Sequence, residues 1–335
     1  MITGAIERPR MMGTGLGFAP IAFGLTLASS ALAGLAPRAF SIATVFLFAG
    51  PHNWMEARYF LSRLPGRWGP LRGYFLLGLT GILLLAAGSA ALPWLGTRLA
   101  WDRPAWVVAL ASWETALVGW VLALILLRSR QKPVRDWSLA WPIGFLAIAM
   151  AWVAPAWWGL ALVYGHPLMA FAVLDRELKR SRPAWRAGFR LALMGVPCLL
   201  LLLIWSLASA PDLTGDDPIT SRIARHAGSD LLAGVSSHLL VATHTFLEML
   251  HYGVWLVAIP LASLRVAPWR VSTVPIARRS RRWRVVLPIA LGLGLAAVVL
   301  LWVAFLADYP TTRDVYFTVA LLHVLAEIPF LLRMI

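Results

Sequence analysis

Long apolar stretches separated by short polar loops run through the whole sequence. Ten such stretches cover residues 16–36, 40–61, 74–95, 106–127, 139–153, 157–173, 191–208, 231–264, 285–306 and 315–332. The apolar residues within them are continuous and do not alternate with polar ones, which predicts helices and argues against a β-barrel. Runs of roughly 20 apolar residues are long enough to cross a bilayer as helices. The pattern therefore predicts an all-α, polytopic transmembrane bundle of about ten helices, forming a single integral membrane domain over residues 1–335.

Composition narrows the class of protein further. The chain is 60% hydrophobic and 13% charged, with a mean hydropathy of +0.74, which excludes an ordinary soluble domain. Its net charge of +15 is also typical of nucleic-acid-binding proteins. The basic residues, however, cluster in short loops between apolar runs, where they act as topology signals. We therefore expect membrane lipids and no nucleic acid as partners. The single cysteine, Cys198, excludes an intramolecular disulfide and a cysteine-based metal cluster.

The distribution of basic residues predicts the orientation of the bundle. The four strongly basic loops follow the second, fourth, sixth and eighth predicted helices, and the remaining loops contain few basic residues or balance them with aspartates. Because basic loops stay in the cytoplasm, both termini are predicted to lie inside, in a multi-pass protein of the inner membrane. The first apolar run has a basic start and an Ala31-Leu32-Ala33 ending, which also resembles a cleavable signal peptide. A retained helix is the favoured interpretation.

Three apolar stretches contain the same polar pattern, H-x-x-x-E. With seven His and six Glu in the chain, random placement would give about 0.1 such pairs. Residues four apart share one face of a helix, and a polar face in an apolar helix is costly in lipid unless it points into the protein. We therefore expect all three pairs to face the interior of the bundle. The pairs are His52 with Glu56, His244 with Glu248, and His323 with Glu327.

The stretch from His238 to His251 adds a third polar residue to one of these faces. With His244 at zero, Glu248 falls at about +40° and His251 at about −20°, whereas His238 falls near 120° and points elsewhere. His244 and His251 are about 10 Å apart along a straight helix. A single metal ion could therefore use only an adjacent pair, and Glu248 with His251 is the predicted core of the site.

Neutral imidazoles together with carboxylates are ligands that suit Fe, Zn, Mn and Cu. The predicted metal ligands are His52, His244, Glu248, His251 and His323. The predicted catalytic carboxylates, which either bind the metal or orient the imidazoles, are Glu56, Glu248 and Glu327. A mono- or dinuclear transition-metal site, with iron favoured, is the expected cofactor. Haem is disfavoured because the 13-residue step from His238 to His251 is not repeated on a second helix.

Two other interpretations of these residues remain open. The His–Glu pairs could tie helices together by hydrogen bonds in a structural membrane subunit. They could also form the relay of a proton-coupled transporter or channel. Of the other histidines, His166 precedes Pro167; it is an outside candidate for the site, and support of a helix kink is the favoured interpretation. His226 lies in a polar loop and is interpreted as solvated.

The sequence around the first pair resembles a known family. The phrase Gly50-Pro51-His52-Asn53-Trp54 on an early helix is similar to a motif of the Brp/Blh family of bacterial membrane carotene dioxygenases. The resemblance implies an all-helical membrane fold with a histidine-bound non-haem iron. Together with the His/Glu pattern, it implies a membrane-embedded iron oxidoreductase or oxygenase that acts on an apolar, lipid- or isoprenoid-like substrate.

Overall fold

Helices make up almost all of the described structure. The computed structural model describes residues 15–213, 217–264 and 271–334, and within these ranges it contains no β-strand. The all-α class is therefore confirmed. Predictions for the N-terminal polar residues, for Asp216 in the acidic loop and for Arg265 and Arg270 in the most basic loop fall outside these ranges. The helices are α1 (Gly15–Leu35), α2 (Pro37–Arg63), α3 (Arg72–Arg98), α4 (Arg103–Gln131), α5 (Ala140–Val153), α6 (Pro155–Ser181), α7 (Pro183–Leu207), α8 (Pro218–His226), α9 (Ser237–Gly253), α10 (Pro275–Arg279), α11 (Arg281–Ala307) and α12 (Tyr309–Met334).

Local sequence explains where many of these helices begin. Proline stands at the start of α2, α6, α7 and α8, where its fixed φ suits a helix and its missing N–H has no helical partner to lose. Side chains cap three helices, of which α8 is again one. Asp102 accepts a backbone hydrogen bond from the first turn of α4, Asp217 from that of α8 and Ser236 from that of α9. Hydrogen bonds from Thr220 hold the pKa of Asp217 below its usual range. The ionised Asp217 also pairs with Arg38 at 3.0 Å, which ties α8 to the start of α2.

Eight of the described helices are long and apolar enough to cross a membrane, and the chain is accordingly a multi-pass membrane protein. The sequence predicted ten crossings, and the other two predicted segments are helical as well. Helix α2 has 27 residues, but His52, Asn53 and Glu56 reduce its apolar character. Helix α5 has 14 residues, a length of about 21 Å, which is shorter than the roughly 30 Å hydrocarbon core.

Helix α9 lies at the centre of the bundle. It packs against α1, α2, α6, α7 and α8, and its span is 56% buried, more than any other candidate crossing. By contrast, the spans of α1 and α11 are 17% buried and present large apolar side chains to the lipid, as a peripheral helix should. The polar stretch that the sequence placed in the interior is thus on the most enclosed helix.

The predicted start of this central helix, at residue 231, was wrong. The chain turns through Gly228 and Gly234, whose φ angles are +100° and +87°, so the helix begins only at Ser237. Such φ values favour glycine because a Cβ clashes in the left-handed region. After Gly253 the helix does not stop but widens into two π-helical segments, Val254–Ala258 and Pro260–Leu264. The apolar run therefore contains a turn and two kinds of helix.

Candidate metal centre

Four helices each bring a histidine to one level of the bundle. The residues are His52 of α2, His166 of α6, His251 of α9 and His323 of α12. The ring of His52 lies 5.3 Å from that of His251 and 5.0 Å from that of His323. The ring of His166 lies 4.4 Å from that of His251 and 4.9 Å from that of His323. All four are side chains of packed helices, so the backbone holds the cluster in place.

The ring nitrogens of three of these histidines converge. The Nε2 atom of His323 lies 3.5 Å from that of His52 and 3.1 Å from that of His166. The Nδ1 atom of His52 lies 3.0 Å from the carbonyl oxygen of Phe48. A carbonyl can only accept, so this Nδ1 carries the hydrogen and the neutral ring leaves Nε2 as a bare lone pair. The lone pair of His52 thus points into the cluster.

Each of these two Nε2–Nε2 distances is that of two ligands of one ion. Imidazole nitrogens bind transition metals at about 2.0–2.1 Å. Two Nε2 atoms separated by 3.1 or 3.5 Å would subtend angles of about 95° or 113° at an ion placed about 2.1 Å from each. The smaller angle is close to the octahedral value and the larger is close to the tetrahedral value.

A buried carboxylate completes this set. Glu56 is one helical turn from His52, is only 1% exposed, and neither of its oxygens has a hydrogen-bond partner in the described part of the chain. One ligand atom from each of His52, Glu56, His251 and His323 lies within 4.8 Å of all the others. An unpaired buried carboxylate is costly unless a cation or a proton compensates it. Glu56 therefore lies where a bound cation or a proton would compensate its charge.

The second carboxylate, Glu327, is held by its neighbours. Its Oε1 accepts a hydrogen bond from Trp255 Nε1 at 3.1 Å, and its Oε2 faces His166 Nδ1 at 3.4 Å. This approach is an ion-pair contact and not a hydrogen bond, and neither atom has a hydrogen-bond partner in the described part of the chain. His166, His251 and Glu327 also form a second group whose ligand atoms lie within 4.8 Å of one another. Two overlapping groups thus share His251.

His244 and Glu248 lie outside both groups, although the sequence predicted them as ligands. Both are buried together with His251, as expected for three residues on one inward face of the helix. The Glu248 carboxylate accepts a hydrogen bond from Tyr252 at 2.8 Å, and the ring of His244 lies 5.0 Å from that of His226. Neither group pairs Glu248 with His251, the pair that was predicted as the core of the metal site. The rise along α9 places His244 and Glu248 at a different level of the bundle from His251.

Two histidines play parts that the sequence did not favour. His166, which the sequence offered only as an outside candidate, joins the cluster; its sequence signal was a lone histidine in an apolar run. His226 was expected to be solvated, yet its ring packs against Phe317 at 4.1 Å. The short helix α8 returns the loop onto α9 and α12, which no periodicity in the sequence predicts.

A cavity of about 160 Å³ lies between the two levels of histidines. It is lined by His52, His166, His251 and His323 at one end and by His226, His244 and Glu248 at the other. Its side walls are mostly apolar and include Leu162, Ala320 and Val324. An apolar cavity of roughly 150 Å³ holds a molecule the size of benzene. The cavity is therefore large enough for a small gas or for the reacting part of a larger apolar molecule.

Comparisons of the chain with protein-family models, with curated proteins and with solved structures find no match. The function must therefore be argued from the side chains of this site.

Proposed function

We propose that the chain is a membrane-embedded metalloprotein, a non-haem iron oxidoreductase or oxygenase that acts on an apolar, lipid- or isoprenoid-like molecule. The observation that carries this proposal is the Glu56 carboxylate, which is buried beside three histidines of the same group and has no hydrogen-bond partner among the residues that the structure describes. A divalent ion at this point would be neutralised by Glu56 and Glu327 and coordinated by the imidazoles.

Hydrogen-bond ties between helices explain the cluster less well. Such ties need a donor for every acceptor. Here the Nε2 lone pair of His52 and the carboxylate of Glu56 are acceptors within one group, and neither oxygen of Glu56 has a hydrogen-bond partner in the described part of the chain. His323 Nε2 can donate at most one hydrogen when its ring is neutral, although it lies within 3.5 Å of two other Nε2 atoms. A group of acceptors with too few hydrogens is stabilised by a cation.

The ligand types and the cavity support iron and oxidative chemistry. Imidazole and carboxylate together, without cysteine, are the set that non-haem Fe(II) oxygenases use. The apolar cavity next to the cluster excludes bulk water and offers room for O₂. A bound iron would supply electron transfer between O₂ and a substrate. The resemblance of Gly50 to Trp54 to the Brp/Blh family supports the same class of reaction.

The chain's own groups would position the substrate and move protons. Tyr252 packs its ring against that of His52 at 4.2 Å and donates its hydroxyl hydrogen to Glu248. Both Tyr252 and Glu248 line the cavity, so a proton held at the Tyr252 oxygen is within reach of a molecule in it. Glu248 would therefore act in proton transfer, a role predicted from the sequence only under the proton-relay interpretation, and not as the predicted ligand.

Elemental analysis tests the proposal. The protein would be purified in detergent without chelator, reconstituted with Fe(II) under anaerobic conditions, and compared with His52→Ala, His323→Ala and the control His238→Ala. His238 lies on α9 but binds the carbonyl oxygen of Gly34 at 2.9 Å, away from the cluster. We expect bound iron in the wild type and in the control, and loss of most iron in the other two. No transition metal in any form, or equal metal in all four, would rule out the site.

A proton pathway is a second candidate function, and a specific observation favours it. His226, His244 and Glu248 line the same cavity as the cluster but belong to neither metal-binding group. They provide titratable groups from the α8 end of the bundle to its centre, as proton-transferring membrane proteins require. If no metal binds, proton uptake by proteoliposomes containing Glu248→Gln or the wild type would test this alternative.

A further inference from the structure

An open vestibule lies at the α8 end of the bundle, next to the cavity of the cluster. Its volume is about 710 Å³, and three arginines line it: Arg222 and Arg225 of α8 and Arg313 of α12. Asp314 also lines it and pairs with Arg222 at 2.5 Å. The charge of Glu248, on the inner side, acts on Arg313. The lining itself holds three guanidinium groups and one carboxylate and is therefore positively charged, while Asp308 acts on Arg222 from outside it.

Arg313 is the unusual member of this group. It is only 3% exposed, and its Nε has no hydrogen-bond partner in the described structure. Its guanidinium carbon lies 4.6 Å from the centre of the Phe317 ring. A charged group that is so enclosed is retained where it is paired or where it serves a ligand. Arginine is suited to anionic oxygens because its planar fork presents several donors.

The vestibule and the inner cavity share two walls. His226 and Phe317 line both spaces, and their rings pack against each other at 4.1 Å. Beyond them lie the apolar walls and then the histidines of the cluster. Ten residues of α12 separate Arg313 from His323, a distance of about 15 Å along the helix. The sequence of environments is therefore positive charge, aromatic partition, apolar walls and metal centre.

We propose that this arrangement binds an amphiphile with an anionic head, a carboxylate or phosphate, whose apolar chain passes His226 and Phe317 and reaches the cluster. The arginines bind the head, and the apolar walls hold the chain. This proposal deepens the proposed function, on which the role of the cluster as the reaction centre rests, by naming the substrate class. The binding itself does not depend on a metal.

The test is ligand binding to chelator-treated protein in an uncharged detergent. The probes are dodecanoate and dodecyl phosphate, with dodecanol as the uncharged chain and inorganic phosphate as the head without a chain. We expect both anionic amphiphiles to bind at least about tenfold more tightly than either partial probe, since hydrogen bonds to charged groups are among the stronger ones. Competition by phosphatidylglycerol, but not by phosphatidylcholine, in nanodiscs would identify a membrane lipid as the source of the head.

Variants locate the binding. Arg225→Gln changes an exposed residue and leaves the core intact, and it should weaken dodecanoate binding about tenfold; Arg313→Gln should weaken it further. Arg103→Gln, an exposed arginine at the start of α4, is the matched control and should have no effect. Equal affinity for dodecanoate and dodecanol, or unchanged binding in Arg225→Gln, would overturn the inference. Arginine-dependent binding by a protein that takes up no iron would overturn only the proposed function.

Discussion

Replacing Glu56 by glutamine should separate two effects of the buried carboxylate, its effect on the stability of the metal-free protein and its contribution to metal binding. Glutamine keeps the shape of the side chain but removes its negative charge. In metal-free protein, Glu56 has no hydrogen-bond partner within the described residues, so the neutral amide takes away an unfavourable charge and the stability should stay equal or rise. In metal-loaded protein the same change removes an anionic ligand. The two forms should therefore respond in opposite directions.

The magnitude follows from linkage. At a free metal concentration 100 times its Kd, binding stabilises the native state by about 2.7 kcal/mol. If Glu56→Gln raises Kd about 100-fold, the same concentration gives only about 0.4 kcal/mol. An unfolding entropy of about 2.1 cal/mol/K per residue, applied to 335 residues, converts these values to shifts in Tm of about 4 °C and about 0.6 °C.

Thermal unfolding of the detergent-solubilised protein, with and without Fe(II), measures both values. Glu114→Gln is the control, because Glu114 is equally buried at 1% exposure but lies on α4, outside the cluster. It should keep the full metal-dependent shift. A Glu56→Gln protein that shows the same shift as the wild type would refute the reasoning. So would a large loss of stability in the metal-free variant, since that would make Glu56 a structural partner.

Three further outcomes are expected. His251→Ala should lose most of its iron by elemental analysis. His244→Ala, whose ring lies beyond the cluster, should retain it; loss of iron from His244→Ala would support the ligand role that the sequence predicted for His244. Trp255→Phe deletes the 3.1 Å hydrogen bond to Glu327 and should weaken metal binding about 10–100-fold in titrations. At saturating metal the variant should still reach full occupancy. Reporter fusions after Asp217 and after Arg278 should lie on opposite sides of the membrane, because α9 crosses between them; reports from one side would contradict the topology.

Much of the fold could be predicted because lipid imposes a simple pattern. A helix that satisfies its own backbone hydrogen bonds is the form open to a continuous apolar run, so helix positions follow from hydropathy. The turn before α9 was missed because Gly234 lies inside the apolar run and changes its hydropathy little. The turn geometry depends on φ angles that only the packed structure reveals.

The candidate site was predictable in part for the same reason. The H-x-x-x-E pairs of α2 and α12 are brought together, since these helices contact each other, α2 also packs against α9, and α12 also packs against α6. Helical angles cannot tell which of several residues on one face lies at the level of its partners, so both His244 and His251 were predicted as ligands. His166 carried no paired carboxylate in its own helix; its partner, Glu327, comes from α12 at 3.4 Å. Periodicity describes the faces of one helix and does not predict which side chains of distant helices will be in contact.

The π-helical segment after Gly253 has a consequence for how this site can change over time. Its Ile259 N–H bonds to the carbonyl of Val254, five residues back, so the turn contains one residue more than an α-helical turn would. Loss of a single residue here would restore an α-helix without breaking it. Because the widened turn absorbs the extra residue, the histidines upstream and the helix downstream would both keep their orientation. A lineage could thus gain or lose a residue beside Trp255, which donates to Glu327, and so retune the centre without replacing any ligand.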